Sequence, residues 1–335
     1  MKAIVFHVHG GVEQLHLAEV PAPKPASGEV LVRVHAVALN GFDPMILHGS
    51  TNLKTQFPMT PCGDLAGEIA EIGQGVDAST WRPGMRVSVH PHAHRNGLMM
   101  GETLPGGAAE FIVAPAAALV PMPDAVSYVD AAALPVAYGT AYRMMKERGR
   151  VVKGEKVLIL GATGGVGAGC VQLGKAVGAE VIACGHGGWK QARLREIGAD
   201  VVIDTSKDDF LKVVYERYGK PRYLGGGGVD VVINYIGGDT WVPSLKALTK
   251  GGRLLTCGAT AGYATDNDVR YIWSFELSVI GSNGWTLEDM AALLAAVASG
   301  DMKPVIHSVR PLAELPASMQ ELIDRKVFGK AVLTL

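Results

Sequence analysis

The sequence predicts an α/β chain in which a doubly wound parallel sheet is inserted in a β-rich domain. Three observations carry this. The first third of the chain sets short β-branched runs between Pro and Gly, such runs alternate with helical stretches beyond about Asp130, and one more strand-like run closes the chain. Strands alternating with helical stretches mark a parallel sheet, because parallel neighbours need a long crossover between them.

In chain order, residues 3–6, 29–38, 67–72 and 86–90 are the expected early strands, separated by turn residues such as Pro21 to Pro25, Gly73, Gly75 and Pro83-Gly84. Residues 131–134 and 138–148 read as helical. Strands then follow at 156–160, 180–184, 201–203, 229–234, 253–257 and 278–281, with helices at 165–177, 190–197, 208–218 and 241–248 between them. Residues 287–299 and 315–325 look helical, and 330–335 looks like a final strand. The expected division is 1–125, then 126–267, then 268–335, the last stretch adding an edge strand to the parallel sheet and returning to the first domain.

The 335 residues are 48% hydrophobic and 19% charged, the balance of an ordinary globular chain. A formal net charge of −1 gives no pull toward nucleic acid or an anionic membrane, so neither is an expected partner. The four cysteines, Cys62, Cys170, Cys184 and Cys257, form no Cys-x-x-Cys pair, which argues against a disulfide framework or a zinc knuckle. The N-terminus has no signal-peptide pattern, and no stretch approaches the roughly 20 apolar residues of a membrane helix. A cytoplasmic location is the expectation.

The strongest local signal is Val157-Leu-Ile-Leu-Gly-Ala-Thr-Gly-Gly-Val-Gly167, an apolar strand running through Gly161, Gly164, Gly165 and Gly167 into a helix. Glycines let a backbone turn tightly against a pyrophosphate, and the helix start offers N–H groups and a positive dipole end. The strand–turn–helix context makes this a dinucleotide loop rather than a chance glycine-rich turn. Enzymes that use NAD usually place an acid near the end of the next strand, to bind the ribose 2′-hydroxyl. Here Cys184 is followed by Gly185-His-Gly-Gly-Trp-Lys190. Gly185 leaves room for a 2′-phosphate, and His186, Lys190 and Arg193 could supply charge and hydrogen bonds, unless the last two are only a solvated helix face. The expected cofactor is NADPH.

These residues sit in a longer pattern. With the glycine loop come Asn40-Gly-Phe-Asp43, Gly63-Asp-Leu-Ala-Gly-Glu-Ile69, Gly106-Gly-Ala-Ala-Glu-Phe111, Ala137-Tyr-Gly-Thr-Ala-Tyr142 and Phe328-Gly-Lys-Ala-Val-Leu333. Over nearly its whole length the chain resembles the medium-chain dehydrogenase/reductases, in particular their zinc-independent quinone oxidoreductase, or zeta-crystallin-like, branch. The resemblance implies a Rossmann sheet inserted in a GroES-like catalytic domain. Zinc-dependent members carry a Cys where this chain has Asn40 and a His where it has Gly63, followed by an acid, here Asp64. The third ligand would fall near residues 135–137, which contain no Cys. No metal site is expected there. The alternation of His90, His92 and His94 leaves three readings open: a metal site, the lining of a substrate pocket, or ordinary surface histidines.

Without a metal, the resemblance implies hydride transfer to an acceptor already activated by conjugation, a quinone or an α,β-unsaturated carbonyl compound. It places Asn40, Tyr138 and Thr140 beside the nicotinamide. Thr163, Gly164, Gly165 and Val166 would cradle the pyrophosphate, with Gly258, Ala259 and Ser282 along the nicotinamide ribose and Lys330 on the phosphates. Thr140 could equally bond its own helix backbone, and Lys330 could be a strand-edge lysine. Related quinone reductases often carry a pocket Tyr in the loop after Asn40. This chain has none there, which leaves His48, Ser50 and Thr51 as candidate donors, His48 and Thr51 being counted with Asn40 as catalytic. Two alternatives stand beside the reductase: an alcohol dehydrogenase of the same superfamily, and a non-catalytic NADPH-binding protein. The resemblance further implies a homodimer, pairing along residues 275–281.

Overall fold

A computed structural model of the chain describes residues 1–51, 53–92 and 98–335, and resolves into two compact units, residues 1–139 with 286–335 and residues 140–285. The first unit opens with an antiparallel pair, β1 (Lys2–Val5) and β2 (His16–Glu19). It continues through β3 (Glu29–Ala38), α1 (Asp43–His48), β4 (Asp64–Ile72), β5 (Arg86–Val89), β6 (Phe111–Pro115), β7 (Leu119–Pro121), α2 (Tyr128–Ala132) and α3 (Pro135–Tyr142).

The second unit begins within α3 and, after a π-helical turn over Arg143–Arg148, builds β8 (Lys156–Ile159), α4 (Gly165–Val177), β9 (Glu180–Gly185), α5 (Gly188–Glu196), β10 (Val201–Asp204), α6 (Phe210–Tyr218), β11 (Val229–Ile233), α7 (Trp241–Ala247), β12 (Leu248–Thr256), α8 (Val269–Ser274) and β13 (Ser278–Gly281). The chain then returns to the first unit with α9 (Leu287–Ser299), β14 (Ile306–Pro311), α10 (Leu315–Ile323) and β15 (Lys330–Thr334).

The second unit is a single parallel sheet in the order β10-β9-β8-β11-β12-β13, the doubly wound order in which the strand sequence reverses between β8 and β11. Its central strands are buried on both faces: Val157, Leu158 and Ile159 of β8 and Val231, Val232 and Ile233 of β11 are inaccessible to solvent. That explains their unbroken apolar runs.

The first unit carries a sheet in the order β14-β15-β3-β4-β5-β7, with β6 also on β3. Its registers decide which side chains meet. Ala38, at the end of β3, faces Val332 of β15 on one side and Asp64, the first residue of β4, on the other. The ladder runs one step further, Leu39 N–H donating to Ala331 C=O at 3.0 Å. The residue after Leu39 and the first residues of β4 and β15 therefore meet at one end of three adjacent strands.

The doubly wound sheet, the return of the chain and most element positions agree with the sequence. The differences have local causes. The strands β2, β6, β7 and β14 are not expected from the sequence, nor are α1 and α8. These six elements span three to six residues each, too short for a periodic pattern to rise above the turn residues around them. The unit boundary falls at 139 rather than 125, because α2 packs on β3, β4 and β15 of the first sheet.

Tyr138 is a correction. Its side chain is fully buried in the first unit, and its hydroxyl accepts the N–H of Val305 at 2.8 Å. A phenol so covered offers no surface to a nicotinamide, and its role is to pair a buried backbone donor. Tyr138→Phe is expected to cost about 1–3 kcal/mol in chemical denaturation, by leaving that donor unpaired, while dinucleotide affinity in a fluorescence titration stays at the wild-type value.

Candidate active site

The strand registers bring Asn40, Asp64 and Lys330 together, although 266 residues separate Asp64 from Lys330. All three are buried, at 6%, 0% and 2% exposure. Lys330 Nζ donates to Asn40 Oδ1 at 2.5 Å and to Asp64 Oδ2 at 2.9 Å. Asn40 Nδ2 donates to Asp64 Oδ2 at 2.9 Å. Asp64 Oδ1 accepts the N–H of Val136 at 2.9 Å, in the first turn of α3, where the helix end favours an anion. The family resemblance puts Lys330 on the cofactor phosphates. Instead its ammonium is committed to Asn40 and Asp64.

Asp43, the first residue of α1, adds a second carboxylate. Its Oδ2 accepts the Asn40 N–H at 2.6 Å, and its Oδ1 has no partner among the described residues. Burial pushes its carboxyl up to about 7; the Asn40 N–H and the Lys330 charge oppose that rise, and the Asp64 charge adds to it. Burial also raises the thiol of neighbouring Cys62, helped by the charges of Asp43 and Asp64. On the other side, His92 N–H donates to His90 Nδ1 at 3.2 Å, and the two rings lie 6.2 Å apart. Burial and the charge of His90 lower the His92 pKa against the pull of Asp64. His94 lies outside the described residues.

A ligand side chain has no room at Gly63. A Cβ on Gly63, the position of a zinc-ligand His in metal-dependent relatives, would lie 2.6 Å from the carbonyl oxygen of Met100, so no side chain can stand there unless backbone moves. No cluster of three or more His, Cys, Asp or Glu suited to a metal occurs among the described residues. The expected donors His48 and Thr51 are not brought to this network. His48 is exposed at the end of α1, its ring against the Pro44 carbonyl at 2.6 Å, and Thr51 is half-buried in the loop beyond.

The dinucleotide loop is built as its glycines demand. A Cβ on Gly167 would come within 2.4 Å of the Gly161 carbonyl, so the loop closes only with hydrogen there. Tyr235, just past β11, donates its hydroxyl to that same carbonyl at 2.7 Å and locks the loop at the reversal point of the sheet. Sequence reasoning misses it, although it directly follows the expected fourth strand of the parallel sheet. Gly164 caps α4 without a side-chain bond, leaving the helix start open to an anion. Thr163, Gly165 and Val166 are half-buried around it.

A groove of about 390 Å³ runs from Gly161 and Thr163 past Gly185 and His186 to Asp208, Asp209 and Asp239. Gly258 and Ala259 follow β12, and Ser282 follows β13. Ser282 is buried with no partner for its hydroxyl among the described residues, an orphan of the kind a ribose hydroxyl would satisfy. Lys190 is buried in α5, its Nζ 5.5 Å from the Trp189 ring centre. Thr140 is half-buried in α3. The residues present therefore fit a dinucleotide.

Family models agree with both units. One described as an alcohol dehydrogenase GroES-like domain matches residues 26–124, and one described as a zinc-binding dehydrogenase matches residues 165–299. A quinone oxidoreductase of Rattus norvegicus is 30% identical over all of this chain and 98% of its own length. An acryloyl-coenzyme A reductase of Metallosphaera sedula is 31% identical over the whole of both chains. Among solved structures, an NAD-dependent alcohol dehydrogenase superposes with a TM-score of 0.90 at 31% identity, over the full length of both chains. A mycobacterial quinone oxidoreductase does so at 0.83 and 27%, also over the full length of both. The chain belongs to the medium-chain dehydrogenase/reductase superfamily, in its quinone oxidoreductase branch. It is an oxidoreductase of a family that uses nicotinamide cofactors.

The raised carboxyl of Asp43 has a measurable consequence. In the unfolded chain the group ionises near 3.8, and in the fold near 7, so between those values the native state holds a proton that the unfolded state has lost. Its contribution to stability therefore falls as pH rises from about 4 to 7 and levels off above. Asp43→Asn is expected to remove this component. Denaturation of both proteins across that range should show the variant gaining on the wild type as pH rises, and a constant difference would contradict it.

Proposed function

We propose that this chain reduces a quinone or an α,β-unsaturated carbonyl compound with NADPH and without a metal ion. The observation that carries the reading is the buried ammonium of Lys330, fixed between Asn40, at the position of the first ligand Cys of metal-dependent relatives, and Asp64, at the acid that follows their ligand His. A cation held there repels a second one. The names of two relatives, a quinone oxidoreductase and an acryloyl-coenzyme A reductase, support acceptors of the conjugated kind.

Bound on the glycine loop and beside Ser282, a reduced nicotinamide dinucleotide would supply the hydride. The chain's own part is to position the acceptor and answer the negative charge that collects on its conjugated oxygen. Asn40 does the second, because its amide can donate from Nδ2. The absence of an acid after β9, where Gly185 and the exposed His186 stand, supports the 2′-phosphate form of the cofactor, with Lys190 as the nearby cation. Asp208, Asp209 and Asp239 line the same groove and work against that charge, so the preference rests on the end of β9 and the start of α5.

Two measurements test this reading. Turnover of a panel of quinones and enones with NADPH, alongside metal analysis by mass spectrometry, should show reduction by a protein without stoichiometric zinc. One zinc per chain together with oxidation of a secondary alcohol would make it an alcohol dehydrogenase, and cofactor binding without any turnover would make it a binding protein. For the cofactor, Lys190→Ala should weaken NADPH by about 1–2 kcal/mol and leave NADH nearly unchanged in parallel titrations. Equal losses for both would remove Lys190 from the phosphate site.

A further inference from the structure

An amide helps an oxygen that gains negative charge only if its N–H side faces that oxygen; its carbonyl side repels it. Turning an Asn side chain by half a rotation about its last bond exchanges the two at almost no steric cost, so the residue type alone does not decide which is presented. At Asn40 the decision is made by its neighbours. The Lys330 ammonium carries only donors and can meet only Oδ1, while the Asp64 carboxylate accepts the Nδ2 hydrogen. The flipped amide would set its hydrogens against a buried cation and its oxygen against a buried anion, in surroundings where neither charge is screened.

We propose that Lys330 is the positioning residue of this site: paired with Asp64, it fixes and polarises the Asn40 amide so that the second Nδ2 hydrogen is presented to the acceptor oxygen. One amide hydrogen is spent on Asp64 and Oδ1 is spent on Lys330. The remaining hydrogen has no partner among the described residues. The fixed ammonium draws electron density toward Oδ1 and makes that hydrogen a stronger donor. It thus serves the acceptor through a hydrogen bond rather than by direct coordination. Lys330 is held in this position by its place as the first residue of β15 and by its N–H, bonded to the Val305 carbonyl at 2.9 Å. Its nearly complete burial also takes it out of reach of a phosphate. The inference rests on the reading of Asn40 as the donor to the acceptor.

The test compares Lys330→Arg, which keeps a donor-only cation, with the double variant Lys330→Met/Asp64→Asn, which removes both charges together and strands neither. Asparagine at 64 can still accept the Val136 N–H. In asparagine-labelled protein, the two side-chain hydrogens of Asn40 should be resolved and protected from exchange in the wild type and in Lys330→Arg, and should lose that protection in the double variant. Single-turnover NADPH oxidation by the best acceptor should slow on the order of tenfold to a hundredfold in the double variant, and stay near wild type in Lys330→Arg, with NADPH affinity within about twofold throughout. Adding the double change to Asn40→Ala should slow it no further. Weakened NADPH binding with an unchanged single-turnover rate would return Lys330 to the phosphates and overturn the proposal, as would amide resonances unaltered in the double variant. If the wild type reduces no acceptor, the functional reading fails, and the amide resonances alone still decide whether Lys330 orients Asn40.

Discussion

A lysine and an aspartate with almost no exposure to water are held together at one end of the first sheet, and the site is organised around them. Burying either charge alone costs several kcal/mol, and their attraction repays that only with good geometry and with the remaining polar atoms satisfied. Here both conditions are met by backbone. The registers of β15 on β3 and of β3 on β4 put Lys330, Asn40 and Asp64 side by side, and the start of α3 supplies the N–H that occupies the other oxygen of Asp64. A slip of one residue in either ladder would turn the side chains to the opposite face and leave two unpaired charges in the core. The pair therefore enforces the register as much as the register creates the pair.

The second unit solves a different problem with different means. Its loop must let an anion approach the backbone, so it is made of positions where a side chain is excluded, and it is pinned by a tyrosine donating to a carbonyl across the reversal point of the sheet. At the loop itself the helix start and its N–H groups supply the field. One unit thus presents a backbone cradle, and the other a cation already spoken for. The overall fold is shared with an alcohol dehydrogenase at a TM-score of 0.90.

Asp43 shows how finely the charge at the site is balanced. One cation faces Asp64, and the second carboxylate is so poorly hydrated that it ionises only near neutrality. The network is close to neutral below that point and carries an extra negative charge above it.

The sequence by itself determined the parallel sheet, its glycine loop and the return of the chain. Each is a local pattern: apolar runs of fixed length, glycines at fixed spacing, helices between strands. It also showed that Asn40 and Gly63 stand where metal-dependent relatives carry ligands, since each is legible one at a time. It could not determine what replaces them. The motifs that contain Asp43 and Asp64 give neither a role, and those around Lys330 and Tyr138 point to the phosphates and the nicotinamide, because a side chain's partner depends on register and burial, which no local pattern encodes. Only the tertiary structure brought residues 40, 64 and 330 together, covered Tyr138 with protein, and left His48 in solvent.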